Sequence, residues 1–252
     1  MFQFKQFVIR QDRTAMKVCT DACVLGAWAD VATGTRLLDI GTGTGLLALM
    51  AAQRAPLAQI DAVELDEAAA QQARENVADS PFAERLTVHQ TAVQHFAPPL
   101  RYDHILTNPP FYTNALRSPD RAVNRALHAD DLPVPALLTA VGRLLAPDGT
   151  WWVLLPPPEM NRLTQGAANR PEPLRPVRQL HLRHQAQKPV FRHLTAFQFG
   201  NPAEAGQTVP NPNPPGLRRR RGTAEDLCIY EPDGRTYTTA FRALLQPYYL
   251  IF

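Results

Sequence analysis

Asn108-Pro109-Pro110-Phe111 follows directly on an apolar run, "YDHILT", that reads as a strand. Prolines have no N–H to donate and stiffen the chain, so two in a row stop a strand and freeze the loop after it. With no competing N–H at either position, carbonyl oxygens are left to accept. The Asn108 amide oxygen and the Pro109 carbonyl can converge on a single –NH2 group. Holding both hydrogens draws the nitrogen lone pair out of conjugation and aims it at an electrophilic carbon. The rate of such a displacement comes mainly from positioning and electrostatics. Phe111 offers a flat face for a base, worth ~1–3 kcal/mol, and Tyr112 widens it. Alone, the same four residues also fit a turn that ends a strand and buries Phe111.

A second group of residues lies earlier. "LLDIGTGTGLL" sets Gly41, Gly43 and Gly45 at a strand-to-helix turn, where glycine permits a tight bend and close approach of a ligand to the backbone. The dinucleotide fingerprint places its third glycine three residues after the second; here the spacing is two, which argues against NAD. Asp39 would repel a phosphate there but could orient a cationic ligand. Glu64 ends the next strand, at a place from which a carboxylate can accept both ribose hydroxyls of a nucleoside. A nucleoside site with an acid at the glycine turn and no pyrophosphate spacing suits S-adenosyl-L-methionine. The alternative makes Asp39 a turn former and Glu64 a surface charge.

These residues need a frame, and the chain supplies one. From residue 36 onward, strands at 36–41, 58–65, 85–90, 102–108 and 150–156 alternate with helices at 45–54, 66–79 and 132–149. That alternation predicts a parallel, doubly wound α/β sheet. Beyond 156, "EMNRLTQGAANR" suits a helix, "RPVRQLHLRH" and "RHLTAFQFG" a hairpin, and "EDLCIYEPDGRTY" a further strand and turn. Residues 201–222 are rich in Pro and Asn and end near Arg218, Arg219, Arg220 and Arg221; too little apolar surface is present to order them, which predicts a mobile loop. "TTAFRALLQPYYLIF" offers a helix and an apolar end that packs back on the domain. The expected organisation is one domain over 1–252: an N-terminal segment 1–36, a nucleotide-binding core 37–156 and C-terminal strands 157–252.

Composition narrows the classes. A chain of 252 residues with 45% hydrophobic and 19% charged residues is an ordinary globular protein. No apolar run approaches the ~20 residues of a membrane span. The opening "MFQFKQFVIRQDR" is no signal peptide, and three cysteines make no disulfide framework. The expectation is a cytoplasmic monomer with no membrane partner. The net charge of +3 is uneven: residues 1–155 carry 13 Lys+Arg against 16 Asp+Glu, residues 156–252 carry 13 against 7. A basic rear half suits a polyanionic partner and equally a solvated basic face.

"DIGTGTG" followed by "VELD" resembles the nucleotide-binding half of class I methyltransferases. "NPPF" resembles the [Asn/Asp]-Pro-Pro-[Phe/Tyr/Trp] motif of enzymes that methylate adenine N6, guanine N2 or glutamine N5. The opening "FQFKQF" and "MKVCTD", with the aromatic end, resembles the bacterial tRNA1(Val) (adenine-37)-N6-methyltransferases over nearly the whole chain except 201–222. The resemblance implies a Rossmann-like α/β fold: a seven-stranded, mostly parallel sheet with a C-terminal antiparallel hairpin and helices on both faces. It implies N6-methylation of the adenosine beside the anticodon of a valine tRNA, a loop base that costs less to splay out than a duplex base. The implied cofactor set is Lys17, Thr20, Asp21, Asp39, Gly41, Thr42, Gly43, Gly45, Glu64, Leu65, Ala92 and Asn108, with Lys17 near the methionine carboxylate. Asn108, Pro109, Pro110 and Phe111 would hold the adenine. One departure stands out: many methyltransferases place an acid after the third strand, where this chain has Thr91 and Ala92.

Arg117, Arg121 and Arg125, four apart, would share a helix face beside the pocket and contact phosphate; a solvated face explains them as well. Arg218–Arg221 could add salt-sensitive affinity for RNA, or merely solubilise. Cys19 and Cys23 lack further ligands for a metal, and His181 and His184 point to opposite faces of a strand, so no metal is expected. A protein glutamine N5-methyltransferase would carry a helical N-terminal domain for which 36 residues are too few. An rRNA guanine N2-methyltransferase fits the N-terminal stretch poorly. A non-catalytic RNA-binding protein on the same fold is the alternative of a different class; it predicts no binding of S-adenosyl-L-methionine.

Overall fold

The computed structural model describes residues 1–14, 17–109, 132–200, 218–219 (backbone only) and 224–252. Pro110, Phe111, Tyr112, Arg117, Arg121, Arg125, Arg220 and Arg221 lie outside these residues, as do the side chains of Arg218 and Arg219 and most of the expected loop 201–222.

The N-terminus forms a small hairpin, β1 (Phe2–Gln3) with β2 (Val8–Ile9), and then α1 (Thr20–Trp28). The core follows as β3 (Arg36–Ile40), α2 (Leu46–Arg54), β4 (Gln59–Glu64), α3 (Glu67–Ala78), β5 (Leu86–Gln90) and β6 (Tyr102–Thr107). Further along come α4 (Val134–Leu144), β7 (Leu145–Leu155), α5 (Pro157–Ala168), β8 (Leu174–Arg183) and β9 (Val190–Phe199). The chain ends with β10 (Arg218–Arg219), β11 (Ala224–Cys228) and α6 (Thr239–Leu245).

One sheet runs in the order β10-β11-β8-β9-β7-β6-β3-β4-β5. Strands β5, β4, β3, β6 and β7 are parallel, and β9 pairs antiparallel with both β7 and β8. The expected seven-stranded frame with its hairpin is therefore present. Two strands extend its edge: β11 lies parallel to β8, and β10 pairs antiparallel with β11. Arg218 and Arg219, expected in a loop, are extended because that edge still offers backbone partners, opposite Asp226 and Glu225 in register.

The chain leaves β3 towards one side and β6 towards the other, so the crevice of this sheet opens between their C-terminal ends. α1, α2, α3 and α6 cover one face; α4 and α5 cover the other. Central strands are mostly hydrophobic, as burial on both faces requires: Leu37, Leu38 and Ile40 are all buried. α3 starts at Asp66, whose carboxylate accepts the Ala69 N–H at 3.0 Å. α5 carries prolines in its first turn, where a missing N–H costs nothing.

One boundary differs from the periodicity. The helix expected over 132–149, closed by Pro147-Asp148-Gly149, is shorter: α4 stops at Leu144, and Leu145 already pairs with Tyr102. The register then slips so that His104 faces Thr150, which throws residues 146–149 out as a bulge. Gly149 makes this possible: a Cβ there would lie 2.9 Å from the Tyr102 carbonyl oxygen and 3.0 Å from that of Asp103.

Candidate active site

The glycine turn starts from a buried acid. Asp39 is 0% exposed at the end of β3. Its Oδ2 accepts the Thr42 hydroxyl at 2.5 Å and the Ala48 N–H at 3.2 Å, while its Oδ1 has no partner among the described residues. Burial pushes the Asp39 carboxyl up to about 7, against the pull of those two donors. Gly41, Gly43 and Gly45 take φ of 71°, 58° and 85°, the left-handed region that a β-carbon disfavours. A β-carbon on Gly41 or Gly43 would meet nothing within 4 Å, so this side of the turn faces open space. A β-carbon on Gly45 would instead reach Ala73 of α3 at 3.7 Å, so this glycine faces the helix and not the crevice.

Glu64 holds the turn from the neighbouring strand. Its Oε2 accepts the Gly43 N–H at 2.8 Å and its Oε1 the Asp66 N–H at 2.9 Å. Burial raises its pKa, and the N–H groups of Asp66, Gly43 and Leu65 oppose that rise. A carboxylate has about four acceptor sites, more than these N–H groups fill, so it can still accept from a ligand hydroxyl. Leu65, 42% exposed, lies at the mouth. Across the next strand, the Thr91 N–H donates to the Glu64 carbonyl at 2.9 Å, and the Ala92 carbonyl accepts the His95 N–H at 2.9 Å.

On the other side of the crevice, Ile40 pairs with Thr107, so Asn108 leaves β6 at the level where Gly41 leaves β3. Thr107 is fully buried and fixed by the Trp151 indole N–H at 3.1 Å. Asn108 is half-buried and Pro109 buried. The fold thus gathers Asp39, Thr42, the three glycines, Glu64 and Asn108 about one crevice.

The N-terminal residues behave differently. The Lys17 ammonium donates to the Gln11 and Thr14 carbonyls of its own segment. Asp21 is buried in the first turn of α1, where its Oδ2 accepts the Arg192 Nε–H at 2.7 Å. Thr20 is exposed at the start of that helix. Two residues that sequence reading passed over do the fastening. Asn76, 1% exposed on α3, accepts the Arg10 N–H at 2.9 Å and donates to the Arg10 and Thr44 carbonyls, each at 2.9 Å. Gln72 accepts the Arg13 N–H at 3.3 Å. Their i, i+4 spacing among alanines in "EAAAQQARENVA" was the available signal: amides on a small, buried face want backbone partners.

His181 stacks on His193 within the sheet, and His184, just past the end of β8, stacks on Phe191. Among the described residues, no group of three His, Cys, Asp or Glu could hold a metal ion, and no helix is long and apolar enough to cross a membrane.

The family model of the methyltransferase small domain matches residues 24–155, from α1 to the end of β7. A protein of Dyadobacter fermentans named tRNA1(Val) (adenine(37)-N6)-methyltransferase is 49% identical over 251 residues, covering 100% of this chain and 98% of its own. A protein of the same name from Serratia proteamaculans is 40% identical over 254 residues, covering 100% of this chain and 90% of its own. Among solved structures, one described as a predicted O-methyltransferase of Agrobacterium tumefaciens superposes with a TM-score of 0.64 at 16% identity, over 90% of this chain and 96% of that one. At that identity the likeness speaks for the fold alone. With these matches spanning glycine turn, crevice and both ends, the chain belongs to the methyltransferase small-domain family and, within it, to the tRNA1(Val) (adenine(37)-N6)-methyltransferases.

Proposed function

We propose that this protein transfers a methyl group from S-adenosyl-L-methionine to N6 of adenosine 37, beside the anticodon, in valine tRNA. The observation that carries the reading is the full-length likeness to relatives of that name, at 49% and 40% identity, in a chain whose crevice sets Asn108 opposite the glycine turn. The buried Asp39 with its unpartnered oxygen and the open side of Gly41 and Gly43 suit a cationic nucleoside. The methyl donor supplies an electrophilic carbon on a sulfonium. Everything else falls to the chain. Glu64 accepts the ribose hydroxyls while it keeps the Gly43 N–H, and Thr42 and the three glycines line the approach. Leu65 and Ala92 flank the adenine of the donor, and Lys17, Thr20 and Asp21 belong to the N-terminal cover.

Asn108 Oδ1 and the Pro109 carbonyl accept the two hydrogens of the target amino group, so its lone pair points into the crevice. After transfer the extra proton leaves to water. Pro110 and Phe111 complete the loop, with Phe111 and Tyr112 as the stacking surface, while Arg117, Arg121, Arg125 and Arg218–Arg221 serve the RNA phosphates. The protein works as a single-domain monomer in the cytoplasm and uses no metal.

Unmodified valine tRNA and labelled S-adenosyl-L-methionine, followed by nucleoside mass spectrometry, test this. The wild type yields N6-methyladenosine, and Asn108→Ala lowers kcat by roughly 10²–10³-fold, as for removal of a transition-state acceptor, while still binding the donor. An unlabelled tRNA with intact donor binding would overturn the substrate, and labelled glutamine or ribosomal guanine would replace it.

A further inference from the structure

Residues 175–193, the β8–β9 hairpin, hold five Lys/Arg and three His without a single carboxylate. Three of the cations meet acids from elsewhere: Arg178 with Glu225, Arg183 with Asp226 and Arg192 with Asp21. Charge alone therefore does not account for the tip. Its rings do more. His184 is exposed and lies flat on Phe191, with ring centroids 4.1 Å apart and planes 6° from parallel. Phe191 in turn packs on the core, and the Arg192 guanidinium stands 5.4 Å from its ring centroid. The loop beneath is braced throughout. The Tyr230 N–H donates to the His184 carbonyl at 2.9 Å, and the Gln185 amide donates to the Glu231 and Pro232 carbonyls at 3.3 and 3.0 Å. Arg183 donates to the Lys188 carbonyl at 2.7 Å, and Lys188 itself is exposed in this loop.

Position adds the second observation. β8 is parallel to β7 and β6, so its end carries His184 to the same end of the sheet as Asn108. Three strand spacings separate β6 from β8, roughly 14 Å, a reach of two or three nucleotides. An aromatic ring held flat and exposed next to a cation is how proteins hold an unpaired base, because every base has a face to stack.

We infer that His184, supported by Phe191, is a stacking platform for an unpaired nucleobase of the RNA whose neighbour enters the crevice at Asn108. The inference rests on the proposed function for its partner, an RNA loop. It adds a residue to the substrate site that neither the glycine turn nor the Asn-Pro-Pro-Phe motif contains.

The probe is a synthetic anticodon stem-loop of valine tRNA with 2-aminopurine beside the target adenosine, titrated into the full chain. Wild type quenches the fluorophore on binding. His184→Ala binds roughly tenfold more weakly and loses the quenching, with unchanged thermal unfolding. His184→Phe restores both; His184→Lys restores neither. Equal binding by wild type and His184→Ala overturns the platform, and so does rescue by Lys equal to that by Phe, which would make the contact purely ionic. Methylation by the wild type is read separately. Ring-dependent binding without methylation leaves the platform standing and fails the proposed function; methylation with no dependence on His184 does the reverse; no RNA binding fails both.

Discussion

Asp39 should make cofactor affinity depend on pH in a definite direction. The carboxyl is fully buried, burial lifts it to about 7, and the donors Thr42 and Ala48 do not offset that lift. A cationic ligand favours the ionised form, so binding must draw a proton off Asp39 at any pH below its own pKa. At pH 6 roughly one molecule in ten is ionised, and the apparent dissociation constant should be about tenfold weaker than its plateau value above pH 7. Titration calorimetry over about pH 5.5 to 7 suits the measurement, because an α-amino group of pKa ~7.7–8.0 stays protonated there. The heat should also vary with the ionisation enthalpy of the buffer, since a proton is released. Glu64 titrates in the same direction, so Asp39→Asn separates the two; in that variant binding is weak and the slope largely gone. Stability moves oppositely. The folded-state pKa lies above the ordinary carboxylate value of 3.8, so the folded protein holds the extra proton between about pH 4 and 7 and loses stability as pH rises through that window. Asp39→Asn should therefore melt higher than wild type at pH 8. A flat affinity profile in wild type, or the same slope in Asp39→Asn, would refute the assignment of Asp39 to the cationic ligand.

Two further predictions concern the N-terminal segment. Asn76→Ala leaves the Thr44 carbonyl without its donor and frees the Arg10 backbone to water, a cost of about 1–3 kcal/mol for the buried group; hydrogen exchange at residues 8–14 should speed up before global unfolding changes, and KM for the cofactor should rise more than kcat falls. Arg192→Ala leaves Asp21, whose side chain is only 11% exposed, without its guanidinium; denaturant unfolding should show a loss of about 2–4 kcal/mol, largely recovered when Asp21→Asn is added.

The sheet was legible because central parallel strands are hydrophobic runs and each is punctuated: "RLLDI" by the glycine turn, "YDHILT" by Asn-Pro-Pro. The acids of the site were legible for the same reason, since Asp39 and Glu64 stand where such strands end. The end of the helix expected over 132–149 differs because Leu145 and Ala146 continue the apolar pattern of α4 up to Pro147-Asp148-Gly149; only the pairing of Leu145 with Tyr102 and the bulge decide for strand, and both are tertiary. Asn76 and Gln72 hold backbone groups more than fifty residues away, and no local pattern names such partners. Nor does spacing reveal that Lys17 closes on Gln11 and Thr14, or that Asp21 faces Arg192 across the fold.

The aromatic hairpin at the N-terminus leans on the other end of the chain. The Lys5 N–H donates to the Tyr248 carbonyl at 2.8 Å, Phe4 pairs with Tyr249, and the Lys5 ammonium reaches the Gln246 carbonyl, 241 residues later. During synthesis at about 5–20 residues per second, that interval lasts roughly 12–48 s. Asn76 can take hold of Arg10 as soon as α3 has formed, long before the ribosome reaches α6. Phe2 and Phe4 must wait, exposed to chaperones, for Tyr249 to emerge. The N-terminal hairpin is therefore made early and finished late, and a nascent chain released before α6 would carry an assembled glycine turn with an unfastened hairpin.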